Sequence, residues 1–131
     1  MEEEYVEVGK LNISSLINKY DIKTDRLIIT KERIEHINKK HNNDYNLYSK
    51  YMKEIINNPD YILEDIENIN TLLYLKNIKE LINIQMVIKL QTEKNANKCN
   101  TVITFWHMRK RSYQQIVNKN IKIFEKLDKN E

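Results

Sequence analysis

The sequence predicts an α+β domain: N-terminal helices packed on one face of a four-stranded antiparallel sheet, followed by a C-terminal helix. Three observations lead to this prediction. Before Pro59, apolar residues recur at the 3.6-residue spacing of helices, and after Pro59 they alternate with polar residues as in strands. The segments between successive predicted strands are short, which favours an antiparallel meander over parallel strands joined by crossovers.

Length and composition indicate a single soluble domain over residues 1–131. Apolar residues make up 40% of the chain, the mean hydropathy is −0.70, and no apolar run approaches the ~20 residues of a membrane span. Residues 1–4 are acidic and are expected to be disordered, and from this acidic start we expect no secretory or mitochondrial leader. The single cysteine, Cys99, excludes an internal disulfide framework and a multi-cysteine zinc site. We therefore expect a cytoplasmic protein.

Two helices are predicted before the sheet, over residues 31–42 and 44–58. Thr30 is a suitable N-cap for the first helix, because its hydroxyl can accept a hydrogen bond from a backbone N–H of the first turn. Asn43 and Asp44 indicate a break and a new N-cap at the start of the second helix. Pro59 ends that helix, because proline cannot continue the helical hydrogen-bond ladder.

Four strands and a last amphipathic helix are predicted after Pro59. The strands cover residues 60–64, 71–78, 81–90 and 100–108, and the helix carries Tyr113, Ile116, Val117, Phe124 and Leu127. Residues 5–22 remain ambiguous, since residues 5–8 alternate like a short strand and Gly9 marks a turn.

Two histidines lie on the first predicted helix. His41 follows Ile34 and Ile37 at helical spacing, so it lies on the apolar stripe that faces the rest of the protein. The functional interpretation is proton transfer, for which histidine is suited by its pKa near neutrality; the alternative is a core histidine bonded to a backbone carbonyl. His36 lies about 140° around the helix from His41, so one straight helix cannot direct both rings at one atom. A solvated surface histidine is the alternative for His36.

Several strand residues are candidates for contacts with phosphate. Lys76 and Lys89 each lie inside a predicted strand, where a lysine needs water or an anion within reach of its head group. The alternative is that each side chain extends past the edge of the sheet. Thr101 and Thr104 carry hydroxyl donors, but an undistorted strand directs residues three apart to opposite faces. Thr104 is the favoured one of the two.

Basic and aromatic residues near the end of the last predicted strand are less specific. Arg109 and Arg111 form either a phosphate-binding group or the solvated start of a helix. Trp106 either stacks on a base or belongs to the core. His107 alternates with inward-facing apolar residues, and we interpret it as structural. Residues 67–131 carry 12 Lys and Arg against 6 Asp and Glu, so this half offers positive charge to an anionic partner.

Two classes of cofactor are not expected. His36 and His41 are five residues apart, whereas a helical metal pair needs a spacing of three or four. Gly9 is the only glycine, so a glycine-rich phosphate loop cannot form, which argues against a nucleotide-dependent kinase or NTPase. No metal and no nucleotide cofactor are therefore predicted.

The order of several short segments resembles the phage-associated nuclease-like domains grouped with barnase, EndoU, the tRNase colicins and RelE, often called the PBECR families. The segments are 8–11 (VGKL), 26–30 (RLIIT), 36–41 (HINKKH), 58–63 (NPDYIL), 87–90 (VIKL) and 100–104 (NTVIT). The resemblance implies helices before a four-stranded sheet and an RNase or RNase-derived role in phages, prophages or mobile elements. Thr101 stands where the family usually has serine, which keeps the hydroxyl.

Together the residues and the resemblance predict a metal-independent, toxin-like endoribonuclease in the cytoplasm of a bacterial host. The expected catalytic residues are His41, His36, Lys89 and Thr104, and the expected RNA contacts are Lys76, Thr101, Arg109 and Arg111. The expected partners are RNA, with tRNA as one candidate, and an antitoxin or immunity protein; no membrane partner is expected. The alternatives are a catalytically inactive RNA- or protein-binding module and a structural phage protein on the same scaffold.

Overall fold

The computed structural model describes residues 4–93 and 99–127. Within these residues, seven strands form one mixed sheet in the order β1-β2-β6-β5-β4-β3-β7. The strands are β1 (Tyr5–Lys10), β2 (Arg26–Thr30), β3 (Tyr61–Glu64), β4 (Thr71–Ile78), β5 (Ile82–Lys89), β6 (Asn100–Met108) and β7 (Ile121–Glu125). The helices are α1 (Lys31–Lys40), α2 (Asp44–Tyr48), α3 (Met52–Asn57) and α4 (Lys110–Lys119). None of these helices is long and apolar enough to cross a membrane.

The predicted four-stranded antiparallel sheet is wrong, although the α+β class remains. Strands β3 to β6 do pair antiparallel in chain order, but β1 and β2 extend the sheet at one side and β7 at the other. Strand β2 pairs antiparallel with β1 and parallel with β6. The apolar run in Arg26–Thr30 is therefore a central strand, buried between two neighbours, rather than only a lead-in to α1.

The predicted C-terminal helix is shorter than expected, because Asn120 ends it. The side-chain amide of Asn120 donates to the carbonyl of Ile116 at 3.1 Å and its Oδ1 accepts the N–H of Ile66 at 3.1 Å. Asparagine bonds of this kind compete with the helical ladder. The chain becomes extended at Asn120, and the residues from Ile121 onward pair with β3 as an edge strand.

The helices do not precede the whole sheet as predicted, because β1 and β2 come before α1 in the chain, but α1 and α2 begin at the predicted residues. The Thr30 hydroxyl accepts the N–H of Arg33 at 3.2 Å, which is the expected N-cap. A 3₁₀ turn at Ser49–Tyr51 joins α2 and α3 into one helical run over residues 44–57. Of the expected disordered start, residues 1–3 lie outside the described part, while the Glu4 carbonyl accepts the N–H of Lys31 at 3.0 Å.

Two cores cover the two faces of the sheet, so the helices are not all on one face. Helices α1 to α3 pack on one face, which buries Leu27, Ile29, Ile37, Ile55, Ile84, Met86 and Phe105 among others. Helix α4 packs on the other face over Leu63, Leu73, Leu75 and Val87 through Tyr113 and Val117. Burial of these apolar side chains holds α1 and α4 on opposite sides of β6.

Strand β2 pairs with β6 over only two residue pairs, and the side chain of Asn100 stabilises this pairing. Its fully buried side chain donates to the carbonyls of Thr24 at 2.8 Å and Arg26 at 2.9 Å, and accepts the N–H of Gln91 at 2.7 Å. The parallel pairing reaches only to Thr101. Among the described residues, the rest of β6 has no second strand on this side, and α1 and α2 lie against it instead. Residues 102–108 of β6 therefore form a free edge of the sheet.

Candidate active site

A bulge brings the two candidate threonines to the same face of the sheet. Thr101 lies opposite Lys89 and Thr104 lies opposite Val87, and the register shifts between these two pairs. Since residues 87 and 89 of β5 share a face, Thr101 and Thr104 share it too. Val87 belongs to the core under α4, so this is the α4 face. The expectation that the threonines face opposite ways holds only for an undistorted strand.

His41 reaches the α4 face around the free edge of β6. It is the C-cap residue of α1, and its backbone N–H donates to the carbonyl of Ile37 at 2.8 Å. Its imidazole stacks on the indole of Trp106, with ring centroids 4.7 Å apart and an interplanar angle of 8°. Trp106 lies opposite Gln85 and therefore on the same face as Thr104. The stack fixes the plane of the imidazole, and His41 remains partly exposed.

The surroundings of His41 favour its neutral form. Partial burial lowers the pKa of His41 below the ordinary value of 6.5, and the positive charge of Lys40 lowers it further. The carboxylate of Asp44 acts in the opposite direction but does not reverse the shift. A neutral imidazole near pH 7 can accept a proton, which is what a general base requires.

A basic groove borders the His41–Trp106 stack on the α4 face. It has a volume of about 580 Å³, and its lining includes Trp106, Met108, Arg109, Ser112, Ile116 and Lys119. Arg109 is exposed and precedes α4, while Lys119 forms an ion pair with Glu67 at 3.2 Å. The groove therefore combines an aromatic wall with cations, which suits a nucleic-acid strand.

Lys89 lies at the other end of the same face. Its ammonium donates to the carbonyl of Ile69 at 3.0 Å, and it follows Gln85, the partner of Trp106, by four residues on β5. At ~3.3 Å per strand residue, the backbone of Lys89 lies about 13 Å along the sheet from the position opposite Trp106. His41 and Lys89 are therefore not brought to one phosphate, whereas Thr104 is two residues from Trp106 on the same strand.

Three further candidates lie elsewhere. Lys76 is on the opposite face, 5% exposed, with its ammonium 3.7 Å from Asp60 and 3.9 Å from Glu54. We therefore do not assign Lys76 to an RNA-binding surface. His36 is exposed on α1, and Arg111 is exposed on α4.

The structure also brings together a carboxylate and an imidazole that sequence reasoning did not connect. Oδ2 of Asp44 lies 2.8 Å from Nδ1 of His107 and accepts the backbone N–H of His107 at 2.9 Å. In the sequence, Asp44 shows only the pattern of a helix cap, and His107 shows only the alternation that is typical of a strand. Because the two residues are 63 positions apart, no local pattern links them.

Among the residues that the structure describes, no three His, Cys, Asp or Glu side chains are grouped so that they could hold a metal ion. Proton transfer by imidazoles and charge stabilisation by cations and hydroxyls are the chemistry that the residues named above can perform.

An imidazole stacked on an indole beside a groove with cations is an arrangement that suits a nuclease-like domain. Residues 7–122 match the family described as PBECR2, phage-Barnase-EndoU-ColicinE5/D-RelE like nuclease2. This match covers most of the 131 residues, so the chain belongs to this family of phage-type nuclease-like domains, and the resemblance seen in the sequence is confirmed. Comparisons with curated proteins and with solved structures found no significant match.

Proposed function

We propose that this protein is a metal-independent endoribonuclease of phage or prophage origin, toxin-like in its action on RNA. The observation that supports this most strongly is the imidazole of His41, stacked on Trp106 at the border of the basic groove, with its pKa lowered by partial burial and by Lys40. Membership of a nuclease-like family supports the same conclusion.

In the proposed reaction, His41 accepts the proton of a ribose 2′-hydroxyl. The 2′-oxygen then attacks the adjacent phosphorus, the bond to the 5′-oxygen of the next nucleotide breaks, and that oxygen takes up a proton to leave as a hydroxyl. Thr104, on the same face as Trp106, donates a hydrogen bond to the phosphorane, and Arg109 contributes positive charge from the groove. Lys89 and Thr101, at the far end of the face, bind a neighbouring part of the strand.

The test of this function is incubation of the purified protein with RNA and with DNA of the same sequence, in EDTA. We expect cleavage of the RNA alone, because the attacking group is the 2′-hydroxyl. A gel shift of RNA without cleavage indicates the inactive binding module instead. A protein that neither cleaves nor binds RNA fits the structural phage protein.

The acidic limb of the pH–rate profile reports the protonation of His41. The base is active when neutral, and the pKa of His41 is lowered, so activity should fall with a midpoint below pH 6.5. Lys40→Met removes a charge that lowers this pKa, so the midpoint should move to higher pH at low salt. Lys31→Met, at the start of the same helix, is the matched control. A midpoint above 6.5, or the same shift in both variants, contradicts the assignment of His41 as base.

RNA binding should weaken steeply with salt, because cations of the α4 face displace counterions from phosphates. Neutralising Lys89 and Arg109 together should reduce the slope of log K against log[salt] by about 1.4, since each phosphate contact on a single strand contributes ~0.7. Lys10 and Lys53, both exposed on other elements, form the control pair. Equal slopes in the two double variants, measured by fluorescence anisotropy, argue against this surface.

A further inference from the structure

A buried carboxylate orients a second imidazole at the free edge of β6. The side chain of Asp44 is 3% exposed, whereas that of His107 is 52% exposed. Oδ2 of Asp44 lies 2.8 Å from Nδ1 of His107, which leaves Nε2 as the ring nitrogen available for proton transfer. A carboxylate held against Nδ1 fixes the tautomer and stabilises positive charge on the ring, as in other carboxylate–histidine pairs.

The two imidazoles lie beside the same stretch of the free edge, one from each face of the sheet. His41 stacks on Trp106, which is on the α4 face. His107 is the next residue of β6 and lies opposite Ile84, on the face covered by α1 to α3. The backbone N–H of Asp44 donates to the carbonyl of His41 at 3.1 Å, so one short segment positions both rings. The groups that contact the His107 ring are Asp44 and Tyr48 from α2, with the Tyr48 ring 5.3 Å from the imidazole. His41, at the end of α1, is near enough for the charge of His107 to lower the pKa of His41.

A purely structural role does not account for the charge of Asp44. Among the described residues, its Oδ1 atom is buried without a hydrogen-bond partner, and burying a carboxylate is costly. The backbone N–H of His107 needs an acceptor, but a neutral amide oxygen meets that need. What a carboxylate adds is negative charge against the Nδ1 atom of His107.

We propose that His107, positioned by Asp44, is the general acid of the RNA cleavage in which His41 is the base. This inference rests on the proposed function. His41 takes the proton of the 2′-hydroxyl, the 2′-oxygen forms a bond to phosphorus, and the bond from phosphorus to the 5′-oxygen breaks. Nε2–H of His107 gives its proton to that departing oxygen. The products are a 2′,3′-cyclic phosphate and a 5′-hydroxyl, and proton exchange with water restores both imidazoles.

The test compares an ordinary RNA linkage with one in which sulfur replaces the bridging 5′-oxygen. A thiolate leaves without a proton, because a thiol has a pKa of ~8.5 and is far more acidic than an alcohol. His107→Ala should cleave the ordinary linkage about 10²–10⁴-fold more slowly than the wild type. It should cleave the sulfur-containing linkage within about tenfold of the wild-type rate, because this leaving group needs no general acid. His41→Ala should be slow on both substrates, because a missing base is not replaced by a better leaving group.

The outcomes separate this inference from the proposed function. If the wild type cleaves RNA and His107→Ala does so equally well, or is slowed equally on both substrates, His107 is not the acid while the endoribonuclease stands. If the wild type cleaves neither substrate, the proposed function itself is contradicted. His107→Gln keeps an amide donor for Asp44 without a transferable proton, so it gives the same comparison if His107→Ala is unfolded.

Asp44 is a positioning residue, and its test uses the same two substrates. Asp44→Asn keeps an acceptor for the backbone N–H of His107 but removes the negative charge beside Nδ1. Asp44→Asn should therefore slow cleavage of the ordinary linkage and leave cleavage of the sulfur-containing linkage little changed. Asp21→Asn, at an exposed carboxylate paired with Lys23, is the matched control. Equal slowing on both substrates, or wild-type cleavage of the ordinary linkage, shows that Asp44 does not act through the acid and overturns this part of the inference.

Discussion

Replacing His41 with alanine is expected to reduce RNA cleavage by about 10²–10⁴-fold, which is the usual contribution of a general base. The fold should survive, because His41 is a partly exposed helix C-cap whose main side-chain contact is the stack on Trp106. Aromatic pairs contribute only about 0.5–1.5 kcal/mol. Single-turnover kinetics on a labelled RNA, with thermal unfolding of the same samples, measure both effects.

His36→Ala provides the comparison on the same helix. His36 is exposed, and its charge acts on the site by lowering the pKa of His41, after burial and Lys40. We expect a change in cleavage of less than about tenfold from this variant, because it transfers no proton in the proposed reaction. Equal losses in both variants, or wild-type cleavage by His41→Ala, argue against His41 as the base.

Asn100→Ala is expected to cause a large loss of stability. The buried Asn100 side chain makes three hydrogen bonds to backbone groups of residues 24, 26 and 91. Leaving a buried polar group without a partner costs about 1–3 kcal/mol, so the free energy of unfolding should fall by about 3 kcal/mol or more. Urea denaturation followed by circular dichroism measures this change.

The exposed Asn18 provides the control, and Asn18→Ala should change the free energy of unfolding by about 0.5 kcal/mol or less. A loss of less than 1 kcal/mol in Asn100→Ala contradicts the role of this side chain in joining β2 to β6. Because α1 follows β2 directly, a partly folded Asn100→Ala protein should also lose the orientation of His41.

The parts of the fold that depend on local signals were predictable from the sequence. Residues close together in the chain determine three such features: the Thr30 cap, the helical run that ends before Pro59, and the alternation in β4 and β5. The pairing of β2 with β6 was not predictable, since it depends on hydrogen bonds between residues more than 70 positions apart. Strand β7 was missed because the apolar spacing around Asn120 fits a helix as well as a strand.

The candidate site shows the same division. His41 could be proposed as a site residue because its place on the apolar stripe of α1 is a local property. The relation between Thr101 and Thr104 depends on a bulge in β6, and bulges leave little trace in a single sequence. The separation of Lys76 from Lys89 depends on which face of the sheet each side chain occupies. His107 has the alternation of a structural strand residue, and only the tertiary fold places it against Asp44.

The most direct test of the central claim is the chemical identity of the RNA ends produced in EDTA. Mass spectrometry of the fragments should show 2′,3′-cyclic phosphates, or the monophosphates formed from them by hydrolysis, paired with 5′-hydroxyl ends. Substrates with a single 2′-deoxy nucleotide at the cleaved position should remain intact there. Products with 3′-hydroxyl and 5′-phosphate ends, or cleavage that proceeds at a 2′-deoxy position, contradict attack by the 2′-oxygen and with it the role of His41.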